Sequence, residues 1–247
     1  MAINRHLDNA PIAEAIIDLR VQLPSSFRIQ NFEKLNSSLK AEYPSAEERH
    51  KFKIKHTLQK GNFSTADAAD EVIGYILKSK DGKNIVQFRN DGFTFSRLKP
   101  YSTWSEIFAE AKKLWSLYID NCSPVLISRI ATRYINHLDI PLPVNDFSKY
   151  LTCPPVVPEE LTQHVSGFLS RTIINDPKLS VSANIIQALE KSLKENHITV
   201  ILDIDVYKNK NFNINDDMMW QNFDTLHLLK NDIFFSYLTD DILKEYE

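Results

Sequence analysis

Between residues 15 and 23 the side chains alternate: Ile17, Leu19, Val21 and Leu23 fall on one face, Asp18, Arg20 and Gln22 on the other. A period of two marks a strand with one buried face. Pro24 and two serines end it. Residues 29–43 switch period, with Ile29, Phe32, Leu35, Leu39 and Tyr43 at helical spacing and Pro44 closing the helix. Alternation returns at 51–59, where Phe52 and Ile54 interleave with Lys51, Lys53 and Lys55. The small polar stretch 61–71 predicts a loop and 72–79 a strand. Asp81-Gly82 predicts a turn, and Asn90-Asp91-Gly92 a hairpin between strands 84–89 and 93–98. Thr103 and Glu106 have capping-box spacing, and behind them Trp104, Ile107, Phe108, Ala111, Leu114, Trp115 and Tyr118 form one apolar stripe. Ser123-Pro124 ends that helix.

The pattern then starts over. Residues 127–140 predict a long strand whose end, Leu-Asp-Ile-Pro-Leu-Pro, echoes the Leu-Arg-Val-Gln-Leu-Pro of the first. A short helix is expected at 145–151, capped by Asn145 or Asp146, followed by an extended link through Pro154, Pro155 and Pro158. Strands are expected at 164–174, 179–189 and 197–207, with a turn at Asp176-Pro177. A last helix is expected at 217–236, lined by Met219, Phe223, Leu226, Leu229, Ile233 and Tyr237. Each half thus reads strand, helix, antiparallel strands, long helix, with the division at Cys122. The expected fold is α+β, a duplicated unit over residues 1–122 and 123–247. Its strands join in one curved antiparallel sheet with two long helices packed on one face.

Composition narrows the chemistry. The chain of 247 residues holds five glycines, Gly61, Gly74, Gly82, Gly92 and Gly167, too far apart to combine. A dinucleotide-binding loop, a P-loop and a nucleophile elbow each need clustered glycines, so all three are excluded. Cys122 and Cys153 lack C-x-x-C spacing, which removes a zinc finger and makes a disulfide framework an unsuitable reading at this size. Twenty-nine basic against 32 acidic residues give a net charge of −3 and no global drive toward nucleic acid or anionic lipid. No apolar run reaches the ~18 residues of a membrane helix, and the start of the chain carries no apolar leader pattern. A cytoplasmic protein without a membrane span is expected.

Several blocks carry a resemblance: Asn9-Ala10-Pro11-Ile12-Ala13-Glu14-Ala15-Ile16-Ile17, Asp81-Gly82-Lys83-Asn84-Ile85-Val86-Gln87-Phe88-Arg89, Phe93-Thr94-Phe95-Ser96-Arg97-Leu98, the tryptophan helix at 104–118, Arg133-Tyr134-Ile135-Asn136 and Leu202-Asp203-Ile204-Asp205. In this order they resemble a sporadically distributed, uncharacterised bacterial protein family. The resemblance implies no activity, cofactor or site residue. The patchy occurrence of that family implies an accessory gene, such as one of a defence or toxin–antitoxin locus. The element order also resembles duplicated folds of the TATA-binding and effector-binding types, although fold does not fix function.

Two constellations could carry chemistry. Arg129, Arg133 and His137 share a face of the strand opening the second half; Arg20 lies on the equivalent face of the first strand, and Gln87, Arg89 and Arg97 belong to the hairpin. Such arginines could bind a small anion or nucleotide through bidentate contacts, neutralise Asp18, Asp139, Asp203 and Asp205, or face a protein. Asp203 and Asp205 project from one strand face and could hold Mg²⁺ for phosphoryl transfer, or meet those arginines instead. Lys51, Lys53 and Lys55, with Arg49 and Lys60 nearby, suit phosphate attraction or the guarding of an edge strand. The seven histidines show no H-E-x-x-H and no i, i+4 spacing, and Cys122 follows a helix C-terminus, which disfavours a thiolate. The three tryptophans sit on the two long helices, as core packing or as the wall of a small-ligand pocket. The leading expectation is a non-enzymatic binding or regulatory protein, without cofactor, that acts through a protein partner or self-association. A small-molecule sensor using the arginine face and a metal-dependent enzyme using Asp203 and Asp205 are the alternatives.

Overall fold

The computed structural model describes residues 7–59, 62–158, 160, 165–214 and 216–247, with the side chains of 53–59 and 62–69 outside that description. In chain order the elements are β1 (Ile12–Gln22), α1 (Asn31–Leu39), β2 (Ser45–Gln59), β3 (Asn62–Lys78), β4 (Asn84–Arg89), β5 (Gly92–Leu98), α2 (Trp104–Cys122), β6 (Leu126–Pro141), β7 (Leu169–Asp176), β8 (Val181–Lys191), β9 (His197–Phe212), α3 (Asp217–Tyr237) and α4 (Asp240–Leu243). All nine strands form one antiparallel sheet of order β2-β3-β4-β5-β1-β6-β9-β8-β7. The fold is α+β.

Strands β1 and β6 lie side by side at the centre, with Ile17 opposite Thr132 and Leu19 opposite Ile130. From this seam the sheet grows outward in reverse chain order on both sides. Alternation fixes the two faces. Ala15, Ile17 and Leu19 of β1, Phe93 and Phe95 of β5, Ile130 and Tyr134 of β6, and Val200, Leu202, Ile204 and Val206 of β9 are buried on one face. Both long helices cover it: Trp115 of α2 meets Phe93 edge-on at 5.7 Å, and His227 of α3 meets Tyr134 at 6.0 Å. Helix α1 lies against α2, with Phe32 stacked on Tyr118 at 6.2 Å. The opposite face carries no helix among the described residues and is the open face below.

Helix α2 begins where the capping spacing places it, with the Glu106 amide donating to Thr103 Oγ1 at 3.3 Å. It ends at Ser123 in the left-handed conformation, φ 47°. Other elements differ from expectation. The stretch expected as a loop at 61–71 lies largely within β3, and β2 starts at Ser45. These two strands make an edge hairpin, whose ladder hydrogen bonds hold the small polar residues extended. The helix expected at 145–151 is a 3₁₀ turn, Phe147–Lys149, because the Asp146 carboxylate accepts from the Ser148 amide at 2.8 Å and closes a tight turn there. The expected strand at 164–174 is β7, which starts at Leu169. Gly61, Lys60, His6 and His164 lie outside the described residues.

Candidate functional site

The register gathers the charged residues of four strands on the open face. Asp18 of β1 sits opposite Thr94 and Ala131, Arg20 opposite Gly92 and Arg129, and Arg133 opposite Asp205. Arg89 is the buried centre, its side chain 5% exposed. Its guanidinium donates to Asp91 Oδ1 at 2.9 Å, to Asp18 Oδ1 at 3.0 Å and to the Thr94 hydroxyl, which itself donates to Asp18 Oδ1 at 2.7 Å. Gly92 makes the room. A Cβ there would lie 2.4 Å from the Leu19 carbonyl oxygen and 2.9 Å from Arg89 Nη2. The glycine of the hairpin motif therefore also admits a buried guanidinium.

Around this centre the pairing continues. Arg20 donates to Asp91 Oδ2 at 2.7 Å and lies 3.3 Å from Asp18 Oδ2. Arg129 donates to Asp18 Oδ2 at 3.2 Å and to both oxygens of Asp205 at 3.1 and 2.9 Å, with its plane over the Tyr207 ring at 4.8 Å. Arg133 holds Asp203 in a bidentate fork of 2.8 and 2.5 Å. Arg49 donates to Gln87 Oε1. Four arginines thus meet four aspartates. Burial pushes the Asp91 carboxyl up, but the hydrogen bond and charge of Arg89, with Arg20 and Arg49, outweigh it and leave the group below its ordinary value. In Asp205 burial wins: with the nearby charges of Asp18 and Asp203 it lifts the carboxyl above its ordinary value despite Arg129 and Arg133. The hydrogen bond from Arg133 to Asp203 raises the guanidinium further.

The expected cluster is therefore assembled in part. Arg20, Arg89, Arg129, Arg133, Asp18, Asp203 and Asp205 come together, and Gln87 joins through Arg49. Three residues do not. Arg97 points to the helix-covered face, donates to Asn84 Oδ1 at 2.9 Å and lines a cavity of about 110 Å³ with Glu106 and Glu110. His137 is exposed further along β6, opposite Ile201. Asp139 meets no arginine among the described residues; it accepts from Ser192 Oγ at 2.8 Å and Thr199 Oγ1 at 2.6 Å, and these bonds overcome burial to lower its pKa. Lys51 is exposed on edge strand β2. The side chains of Lys53 and Lys55 lie outside the described residues. Sequence reasoning missed Asp91 and Thr94, both in or next to the recognised hairpin turn.

The covered face holds a second polar group, also missed. Lys230 of α3 is buried, 6% exposed, with Nζ 3.7 Å from the centre of the Tyr134 ring. The Tyr134 hydroxyl lies 3.5 Å from His227 Nδ1 and 3.4 Å from the Tyr101 hydroxyl, and Trp104 stacks on His227 at 4.3 Å. Burial pushes the Lys230 ammonium down to about 7. It also pushes the His227 imidazole down to about 3, aided by the Lys230 charge. The only sequence signal was position: residue 230 follows Leu226 by four on the apolar stripe.

Catalytic arrangements are sparse. Both oxygens of Asp203 and of Asp205 accept from arginine, and no group of three or more His, Cys, Asp or Glu able to hold a metal occurs among the described residues. Burial pushes the Cys122 thiol up to about 12, far from a thiolate. Among the described residues no helix is long and apolar enough to cross a membrane. No protein-family model and no curated protein matches the chain.

Proposed function

We propose that the protein is a non-enzymatic binding or regulatory protein that works by self-association, with the β7 edge of one copy pairing antiparallel to the β7 edge of a second. The observation that carries this reading is the exposure of β7. From Leu169 to Asn175 every residue is exposed, including Leu169 at 76%, Ile173 and Ile174. Among the described residues the strand pairs with β8 alone. Its free side offers unpaired backbone donors and acceptors between apolar side chains, the arrangement that invites another strand. A second copy suits it by charge. Arg171 stands near one end and Asp176 at the other, so an antiparallel copy brings opposite charges together at each end. The matched arginines and aspartates of the open face support the same reading, since their charges are already spent on one another.

In this reading the protein is cytoplasmic and serves as an accessory component of a bacterial defence or toxin–antitoxin locus, which rests on the sequence blocks described above. Sedimentation across a concentration series should show a dimer. Ile173→Lys and Ile174→Lys should each give a monomer with unchanged circular dichroism, because a charge on the strand blocks edge pairing. A monomeric native chain, or a dimer that survives both substitutions, overturns the proposal.

A further inference from the structure

The outer surface between the two long helices holds a feature independent of the β7 edge. A cavity of about 300 Å³ is lined by Phe108 and Lys112 of α2 and by Asp217, Trp220, Gln221 and Asp224 of α3. Phe108 and Trp220 meet at 5.4 Å with their planes 78° apart, so they form two walls of a corner. Each wall is backed by another ring: Trp104 stacks on Phe108 at 4.9 Å, and Phe223 lies against Trp220 at 5.5 Å. Trp104 Nε1 donates to Asp224 Oδ1 at 3.5 Å, which ties the carboxylate to the aromatic wall.

The corner already contains a cation. Lys112 Nζ sits 4.8 Å from the centre of Phe108 and 5.0 Å from that of Trp220, within cation–π range of both. Lys112 is exposed, and its unbranched stem can swing away without disturbing the helix. With Lys112 in place the lining carries one positive and two negative side chains, a net −1; with it swung out the net is −2. A cation that replaced the ammonium would restore the balance and keep both ring contacts.

We propose that this corner is a binding site for a small methylated ammonium compound, with Lys112 as the tethered cation that it displaces. Methylation suits the site for two reasons. A quaternary ammonium is weakly hydrated, so it loses little on leaving water, and its methyl groups fill aromatic walls that a metal ion would leave empty. The volume lies at the lower end of ligand pockets, which fits a compound of choline size.

The test uses the full chain and choline chloride, followed by tryptophan fluorescence and calorimetry, with sodium chloride as the ionic control. Choline should bind saturably. Its uncharged isostere 3,3-dimethylbutanol should bind about tenfold more weakly, the equivalent of the cation–π and carboxylate contributions. Lys112→Ala should tighten choline severalfold by removing the competitor, and Asp224→Asn should weaken it. Both substitutions lie on exposed helix surface, so neither depends on a core change. Equal binding of choline and the isostere, unchanged affinity in Lys112→Ala, or an absence of saturation would each overturn the proposal.

Discussion

The two faces of the sheet treat charge in opposite ways. On the open face Arg89 is as deeply buried as a core residue, yet each of its three donor nitrogens has a partner and two of the three partners are carboxylates. On the covered face Lys230 is buried to the same degree, and its ammonium lies over the Tyr134 ring with no carboxylate partner among the described residues. The difference teaches that burial alone does not set the cost of a charge. A matched guanidinium holds its strands in register. An ammonium without an anionic partner resolves the conflict by moving its pKa toward neutrality.

The largest effect should come from unmatching the open face. Asp18→Ala removes an acceptor from Arg89, Arg129 and Thr94 at once and leaves the buried Arg89 with the more exposed Asp91 as its remaining counter-charge. Urea unfolding should show a loss of about 3–5 kcal/mol. Next comes Lys230→Met, which replaces a reluctant amine with a side chain of similar length. It should stabilise the protein by a few kcal/mol at neutral pH, and a lower urea midpoint would show that the amine has a partner worth more than its desolvation.

The pH profile sharpens the same contrast. The Lys230 pKa is lowered from 10.5 to about 7 on folding, so in that window the unfolded chain binds a proton that the folded one releases. Stability should rise as pH goes from about 7 to 10.5, and Lys230→Met should flatten that rise. His227, lowered from 6.5 to about 3, is neutral in the folded state, so stability should fall as pH drops from 6.5 toward 3. The smallest effect belongs to Arg20→Ala. Arg20 is half exposed, and its partners Asp18 and Asp91 keep Arg89, so thermal melts should register less than about 1 kcal/mol.

How much of this was legible in the chain follows the same division. Alternation placed Asp18, Arg20, Arg129, Arg133, Asp203 and Asp205 on strand faces, and the register then brought them together. Arg97 escaped because parity within β5 puts it with Phe93 and Phe95, on the covered side. Asp139 was expected to meet an arginine, but two hydroxyls reach it first. Lys230 was hidden by a choice between helical steps: from Leu226 the stripe could continue at Leu229 or at residue 230, and hydrophobicity favours the leucine. Tertiary packing took the other step, with Leu229 half-buried and Lys230 inside. The β2–β3 hairpin was shortened in the reading because the stretch 61–71 is small and polar, and the pairing with β2 that makes most of it strand leaves no hydrophobic period in the sequence.

The seam between β1 and β6 has a consequence for synthesis. Ile12 pairs with Asn136 and Gln22 with Leu126, so the first strand to leave the ribosome waits for almost the whole first half before its neighbour appears. During that interval one flank of β1 is open, and closing the loop costs entropy before any ladder bond rewards it. Chains halted between α2 and β6 would carry the future centre of the sheet as an exposed edge, which makes them natural clients for chaperones and proteases.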